Sequence, residues 1–349
     1  MISAADRARA ADLLARFRAE GAVPVEAAIL QPAGTLLDLY GEDIRARAFV
    51  THDPLRGEAM LRPDFTVPVV QAHMANRGAG GAEPATYCYA GEVFRRQEAD
   101  DGRPREYLQV GFELFDGSDP PAADARVLAL FLDALAPWGP QAATGDLGLV
   151  SAAVASLDTT ERRRAALRRH LWRPARFRAL LDRFGTDRSG ERDRLAGLSV
   201  EGMAPHGART PEEVAERIEA LRADAEAPPI HPAQRAAVEA LLSHRGPMAE
   251  AGRLRRLAGD LPALAPALDR LDARIDAMRG AGIAAPFAPA EGRARMEYYD
   301  GFTFGIEAGG RPVATGGRYD ALTAALGGGR AIPAVGGVAR PDLLGEAAA

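Results

Sequence analysis

Two segments in the first third of the chain alternate hydrophobic and polar residues with a period of two. They are ATYCYAGEVFRRQ (85–97) and REYLQVGFELFDG (105–117), and the alternation predicts two long antiparallel strands. Alternate side chains of a strand point to opposite faces. One face of the second strand is then purely hydrophobic, with Leu108, Val110, Phe112 and Leu114. The other combines aromatic, amide and carboxylate groups: Tyr107, Gln109, Gly111, Glu113 and Phe115.

Shorter elements are predicted before this pair. Ser3 is expected to cap a first helix, with Asp6 completing a capping box and Gly21 ending the helix. The pattern then predicts strands for VEAAIL (25–30), RAFVTHD (47–53) and EAMLRPDF (58–65), and helices for AGTLLDLY (33–40) and TVPVVQAHMANR (66–77).

After the long pair the pattern becomes helical and later returns to strands. A helix is predicted over 121–139, and a short strand followed by a helix within 145–157. Residues 160–280 are rich in Ala, Arg and Leu at helical spacing. Strands are then predicted at 293–299, 301–308, 311–317 and near 331–338, with a helix from Tyr319. We therefore predict an α+β fold, with a core of residues 1–159 and 281–349 interrupted by a helical insertion over 160–280.

Composition narrows the range of functions. The chain has 349 residues and a net charge of −5, and all 43 of its basic residues are arginine. Because it lacks the basic excess typical of nucleic-acid binding, we do not expect a nucleic-acid partner. The single cysteine, Cys88, excludes an internal disulfide and a multi-cysteine zinc site. We expect no metal ion, no cofactor and a reducing, cytoplasmic location. No apolar run approaches the roughly 20 residues that span a bilayer, so no membrane association is expected.

The polar face of the second long strand has two interpretations. It can be the solvent-facing side of an antiparallel sheet. Alternatively, the length of the strand indicates a central position that is covered on both sides. Buried Gln109 and Glu113 would then need partners, because an unsatisfied buried polar group costs on the order of 1–3 kcal/mol. A ligand with N–H groups is one such partner, and Gly111 between them is expected to leave room for it.

The segment LRPDFT (61–66) supplies a second acid, Asp64, at a predicted turn from strand to helix. This residue can act as the N-cap of the helix, or its carboxylate can receive an ammonium group. Tyr298, Tyr299 and Tyr319 can likewise form the wall of an aromatic, hydrogen-bonding pocket or simply pack within the sheet.

Several of these segments occur together in the order found in one known family. LRPDFT, YAGEVFRRQ with GRPREYLQVGFELF, MEYYDGFTF, TGGRYDAL and GRAIPAVGG resemble the catalytic core of histidyl-tRNA synthetase over most of the chain. The resemblance implies a class II aminoacyl-tRNA synthetase-like core, which is a mainly antiparallel sheet flanked by helices. It also implies that ILQP, with Pro32, lies where motif 1 forms a homodimer interface.

The resemblance further implies a histidine-binding pocket. Asp64, supported by Thr66, corresponds to the acid that takes the α-ammonium group, with Gln109 beside it. Glu113 and Tyr299 correspond to the groups that pair with the imidazole nitrogens. The full set of implied pocket residues is Asp64, Thr66, Arg95, Gln109, Glu113, Tyr298, Tyr299 and Tyr319.

The ATP side departs from the family pattern, although Arg95 matches the motif 2 arginine. Ala294 stands where the family has a catalytic arginine, Gln97 replaces an acid of motif 2, and Leu343 replaces an arginine of motif 3 that contacts ATP. Losing such a charge-stabilising group typically costs on the order of 100-fold or more in rate. The sequence ends at Ala349, soon after motif 3, and we expect no C-terminal anticodon-binding domain.

A synthetase-like chain without these ATP-side arginines and without the expected anticodon-binding domain resembles the family of ATP phosphoribosyltransferase regulatory subunits. The resemblance implies a non-enzymatic partner of the short catalytic subunit in the first step of histidine biosynthesis. It implies a hetero-oligomer, expected to be an octamer, with histidine as the feedback effector. Two alternatives remain: a truncated histidyl-tRNA synthetase-like enzyme, and a tRNA or amino-acid sensor. ATP–pyrophosphate exchange would identify the first, and salt-dependent tRNA binding the second.

Overall fold

The computed structural model describes most of the chain, in which two compact units are formed. The described residues are 2–34, 48–55, 57–77, 83–97, 104–200, 210–293, 298–329 and 331–347. The first unit comprises Met1–Gly148, Arg245–Gly252 and Leu268–Ala349. The second unit comprises Leu149–His244 and Arg253–Ala267.

A mainly antiparallel sheet forms the centre of the first unit. Over the described residues it has nine strands: β1 (Val23–Pro24), β5 (Ala85–Phe94), β6 (Glu106–Phe115), β7 (Gln141–Asp146), β8 (Gly246–Pro247), β9 (Pro286–Phe287), β10 (Phe302–Ala308), β11 (Arg311–Arg318) and β12 (Ala334–Ala339). Their spatial order is β1-β5-β6-β12-β11-β10-β7-β9-β8. Among the described residues, the β1–β5 and β7–β9 pairs are the parallel ones in this sheet. The predicted α+β class is confirmed, and the sheet is mainly antiparallel, as the resemblance implies.

A second, small sheet contains the other three described strands of the first unit. These are β2 (Leu30–Pro32), β3 (Val50–Asp53) and β4 (Gly57–Leu61), in the order β2-β4-β3. The single strand predicted for VEAAIL is therefore wrong. The chain pairs with β5 at Val23–Pro24 and with β4 only from Leu30, because this stretch passes from one sheet to the other. The helix predicted for AGTLLDLY falls almost entirely outside the described residues.

The helices of the first unit agree with the predicted pattern, except that the last one, Pro341–Ala347, was not predicted. They are α1 (Ala4–Ala19), α2 (Thr66–Arg77), α3 (Pro120–Ala134), most of α10 (Leu264–Gly280), α11 (Asp320–Leu326) and α12 (Pro341–Ala347). The predicted capping box is present: the Ser3 side chain accepts from the Asp6 N–H, and the Asp6 side chain accepts from the Ser3 N–H. The strand predicted over 293–299 is not formed at its described ends, since Arg293 and Tyr298 both lie in turns.

The hydrophobic face of β6 lies in the core of the first unit. Phe112 meets Phe17 of α1 with ring centroids 5.7 Å apart, and Phe17 meets Phe131 of α3 at 5.1 Å. Phe131 in turn meets Phe304 of β10 at 5.6 Å. Every residue of β6 from Tyr107 to Phe115 is buried, which confirms that both faces of this strand are covered. The polar face of β6 is therefore an interior surface of the protein.

The second unit is helical. It contains most of α4 (Leu147–Ala155), followed by α5 (Glu161–Arg169), α6 (Pro174–Phe184), α7 (Ser189–Ala196), α8 (Pro211–Glu226) and α9 (Pro232–Ser243). Inside it, Asp224 of α8 bridges two buried arginines, Arg163 and Arg188. Within the described part of the chain, no helix has the length and apolar character needed to cross a membrane.

Candidate ligand-binding site

The register of β5, β6 and β12 places a glycine opposite each of two large side chains, Glu113 and Tyr89. Glu113 is paired with Gly336 of β12, and a Cβ atom on Gly336 would lie only 1.5 Å from Oε2 of Glu113. Gly111 is paired with Tyr89 of β5, and a Cβ atom there would lie 2.1 Å from the Tyr89 ring. The glycines thus admit the carboxylate of Glu113 and the phenol of Tyr89. The room predicted beside Gly111 exists, but the side chain of Tyr89 fills it, so this part of the ligand prediction is wrong.

The carboxylate of Glu113 is held by three hydroxyl groups. Thr66 Oγ1 and Tyr89 Oη each donate to Oε1 at 2.9 Å, and Tyr319 Oη donates to Oε2 at 2.7 Å. Glu113 is 1% exposed. Since a buried carboxylate requires hydrogen-bond partners, these hydroxyls account for its place in the interior. The hydrogen bonds from Thr66 and Tyr319 join two residues of the predicted set to Glu113, whereas Tyr89 was not predicted.

Burial and charge perturb the titration of this cluster. Burial raises the pKa of Glu113 to about 7, the three hydroxyl donors oppose the rise, and the nearby negative charge of Asp64 adds to it. Burial and the Glu113 charge also raise the pKa of Tyr89 and of Tyr319 well above the usual range. Both phenols therefore remain protonated donors, while Glu113 titrates near neutral pH.

Gln109 lies two positions along β6 from Gly111, on the same face as Glu113. The residue is 3% exposed, and its Oε1 atom has no hydrogen-bond partner among the described residues. Because nearly all buried side-chain oxygens in proteins accept a hydrogen bond, this atom points to a missing donor. Asp64, which precedes α2, is also buried and lies near enough to Glu113 and Tyr89 to influence both pKa values.

The predicted tyrosines meet at one side of this cluster. Tyr298 Oη donates to Thr66 Oγ1 at 3.3 Å, and the Tyr298 ring lies 6.1 Å from that of Tyr319 in an edge-to-face arrangement. The Tyr299 ring lies 4.8 Å from that of Tyr298 and packs over Gly317, where a Cβ atom would be 2.8 Å from it. The contact of Tyr299 with Gly317 is sheet packing. The role of the three tyrosines as a pocket wall stays a prediction.

Arg95 lies at the edge of the same region. Its Nε atom donates to the carbonyl oxygen of Pro63 at 3.0 Å, which ties the end of β5 to the turn that carries Asp64. On the ATP side, Ala294 lies outside the described residues. Leu343 is half-buried on α12, and the amide of Gln97 donates to the Pro104 carbonyl oxygen at 3.4 Å. Among the described residues, no group of three or more His, Cys, Asp or Glu side chains could hold a metal ion.

Tyr89 is the site residue that the alternation pattern missed. The segment TYCYAG predicts only a strand, and the tyrosine has no distinguishing neighbour in the sequence. Its position opposite Gly111 depends on the register of β5 against β6. A large residue paired across an antiparallel ladder with glycine is the signal that could have found it.

Comparison with known proteins agrees with this fold. A family model described as histidyl-tRNA synthetase matches residues 3–200 and 212–344. A protein of Mesorhizobium japonicum called ATP phosphoribosyltransferase regulatory subunit is 34% identical, with 94% of each chain covered. A protein of the same name from Chelativorans sp. is 32% identical, again with 94% of each chain covered.

A solved structure from Bacillus halodurans, described as an ATP phosphoribosyltransferase regulatory subunit/histidyl-tRNA synthetase, matches with a TM-score of 0.69. The match covers 98% of this chain and 79% of that one at 23% identity. The fold and the family model thus define a class II aminoacyl-tRNA synthetase-like protein of the histidyl type. Within that class, the chain belongs to the family of ATP phosphoribosyltransferase regulatory subunits.

Proposed function

We propose that this chain is a non-catalytic regulatory subunit of ATP phosphoribosyltransferase and that the site around Glu113 binds free L-histidine. The names of relatives at 34% and 32% identity support the regulatory role in histidine biosynthesis. The observation that carries the ligand proposal is the buried Oε1 atom of Gln109, which lacks a hydrogen-bond donor among the described residues. A ligand N–H group would supply that donor and remove the cost of an unsatisfied buried acceptor.

Histidine offers donors at both of its ends. Its α-ammonium group carries three N–H donors and a positive charge, which suit Gln109 and the buried carboxylate of Asp64. Its imidazole N–H can donate to Glu113: Oε2 accepts only the Tyr319 hydroxyl among the described residues, and a carboxylate oxygen can accept two donors. Tyr299, at the same end of the tyrosine group, is the proposed partner of the second imidazole nitrogen.

The charge of the site favours a cationic ligand. The negative charge of Asp64 acts on Glu113, and burial holds the pKa of Glu113 at about 7. An incoming ammonium group would offset both carboxylates and favour the ionised form of Glu113. Histidine binding should therefore release protons near neutral pH, which an uncharged ligand would not do to the same extent.

The remaining parts of the proposal concern assembly. The short catalytic subunit is the proposed partner, in a cytoplasmic hetero-oligomer expected to be an octamer. The proposed homodimer contact uses the motif 1 region around Pro32. The support is the exposure of large hydrophobic residues on the small sheet and just before it: Ile29 is 45% exposed, Leu30 51% and Val50 43%.

Calorimetric titration of the full chain with L-histidine tests the ligand. We expect saturable binding by the wild type, at least tenfold weaker binding by Glu113→Gln, and unchanged binding by Glu307→Gln, which alters an exposed carboxylate on β10. The tenfold value corresponds to about 1.4 kcal/mol, a typical worth for a hydrogen bond to a charged group. Wild-type protein that shows no heat and no histidine-dependent rise in melting temperature would overturn the proposal.

The enzymatic alternative has its own test, because the family model that matches is named for a synthetase. We expect no histidine-dependent exchange between ATP and pyrophosphate, even with excess magnesium. Activity above that of a Glu113→Gln control would identify a histidine-activating enzyme. Activity equal to that control would indicate a contaminant.

A further inference from the structure

We propose that Asp124 and Asp300, which lie outside the pocket, are positioning residues that set the location of its tyrosine wall. This inference rests on the proposed function for its ligand, but its geometric part does not. Tyr319 reaches Glu113 across 2.7 Å, so a displacement of about 1 Å would break the hydrogen bond. The contacts that hold the backbone of Tyr319 in place therefore also determine the position of its side chain in the pocket.

The residue before Tyr319 is anchored by Asp124 of α3. Arg318 donates through Nε at 3.1 Å and through Nη2 at 2.6 Å to Oδ1 of Asp124, and through Nη2 to the Pro120 carbonyl oxygen at 3.0 Å. Asp124 is fully buried and Arg318 is 6% exposed. Charge-assisted bonds in a dry interior resist displacement more than bonds at the surface do.

The other carboxylate oxygen of Asp124, Oδ2, also accepts a hydrogen bond from a buried arginine. Arg274 of α10 donates to Oδ2 at 2.7 Å, and its Nη1 atom donates to Asp146 of β7 at 2.6 Å. Asp124 thus bridges two buried arginines and ties α3, α10 and the end of β11 together. Replacing it would remove the counter-charge that the two guanidinium groups share. Arg318 would then be held only by the Asp320 carboxylate and the Pro120 carbonyl oxygen, and so less firmly.

The residues after Tyr319 are held by Asp300. Its carboxylate accepts the backbone N–H of Asp320 at 3.2 Å and that of Ala321 at 2.5 Å. Asp300 directly follows Tyr298 and Tyr299, and its own N–H donates to the Arg318 carbonyl oxygen at 3.0 Å. One side chain therefore joins the segment that carries Tyr298 and Tyr299 to the segment that carries Tyr319.

A matched control exists in the second unit. Asp224 also bridges two buried arginines, Arg163 and Arg188, and it contacts neither tyrosine segment in the described structure. Asp124→Asn and Asp224→Asn should both lower the melting temperature, because each leaves buried arginines undercompensated. Only Asp124→Asn should change the pocket.

The experiment uses full-length protein labelled with 3-fluorotyrosine, with the Tyr319 signal identified by its loss in Tyr319→Phe. We expect Asp124→Asn to shift that fluorine signal and to weaken histidine binding by roughly 2- to 30-fold, and Asp224→Asn to do neither. If Asp124→Asn does not fold, the milder Asp300→Asn, which keeps one carbonyl acceptor, gives the same comparison.

The two proposals fail separately. Wild-type protein that does not bind histidine would end the proposed function, while the fluorine signal would still decide the positioning role. A Tyr319 signal and a histidine affinity that are unchanged in the folded Asp124 or Asp300 variant would overturn the positioning role. So would equal changes in the Asp224→Asn control, because these would reflect general loss of stability.

Discussion

The carboxylate of Glu113 lies directly across Gly336, its partner in the β6–β12 ladder. A Cβ atom on Gly336 would lie 1.5 Å from Glu113 Oε2 and 2.7 Å from the carbonyl oxygen of Phe112. Since the second contact is with backbone, the clash cannot be relieved by moving a flexible side chain alone. The position of Glu113 therefore depends on the absence of a side chain on the neighbouring strand.

Gly336→Ala should displace Glu113 and abolish detectable histidine binding. Overpacking of this kind typically costs about 1–3 kcal/mol of folding stability. Gly190→Ala is the control, because a Cβ atom on Gly190 in α7 would meet no atom within 4 Å. Calorimetry and urea unfolding measure the two effects, and normal histidine affinity in Gly336→Ala would show that Glu113 does not need this space.

Stability should depend on pH through Glu113. The pKa of Glu113 is raised from 4.5 to about 7 by burial, so the protonated carboxyl stabilises the fold fully below about pH 4.5. This contribution is lost as pH rises towards and beyond 7. Glu113→Gln removes the titration, so the stability of the wild type should fall relative to the variant by up to roughly 3 kcal/mol between pH 4.5 and 8.

Urea unfolding of both proteins at several pH values measures this difference. Asp300, whose pKa burial raises to about 6, is present in both chains and should cancel from the comparison. A stability difference that stays constant with pH would mean that Glu113 does not change protonation in the folded protein.

Tyr89→Phe should move the pH dependence of histidine binding to higher pH. The phenyl ring of the variant would still fill the space over Gly111, but one of the hydroxyls that stabilise the ionised form of Glu113 would be lost. The pKa of Glu113 should then rise further, so affinity should fall at pH 7 and recover in part at pH 8.5. In the control Tyr87→Phe, the lost hydroxyl is one that contacts His73 at 3.0 Å, so the binding profile should not move.

Regulation of the assembled complex should be reciprocal. Suppose that histidine favours a low-activity state and a substrate favours the active state. The substrate must then weaken the binding of histidine by the same factor by which histidine weakens the binding of the substrate. Typical coupling of about 1–3 kcal/mol corresponds to roughly 5- to 150-fold. Titrating the complex with histidine, with and without phosphoribosyl pyrophosphate, measures the factor. The histidine affinity could be the same with and without phosphoribosyl pyrophosphate while histidine still inhibits turnover. Histidine would then act on the catalytic rate and not on substrate binding.

Local pattern was sufficient for much of the architecture. The alternation in 85–97 and 105–117 predicted the β5–β6 pair, and the uninterrupted length of the second segment predicted that β6 is buried on both faces. Ser3 and Asp6 predicted the start of α1 because a capping box is formed by residues three apart. Pattern failed at VEAAIL, where the run is divided between two sheets that only the complete fold defines.

Local sequence pattern was sufficient to select the candidate residues of the site: the acids Asp64 and Glu113, the amide of Gln109, and the tyrosines near 298 and 319. Which of these side chains contact one another depends on the tertiary structure. The three hydroxyls that hold Glu113 come from α2, from β5 and from the residue that follows β11. Asp124 contacts Arg318 from 194 positions away in the chain. Contacts of this kind cannot be predicted from the local spacing of residue types, because they depend on strand register and on which elements pack together. Tyr89 is the clearest example. Its hydroxyl can donate to Glu113 because Tyr89 is paired across the sheet with Gly111, which has no side chain.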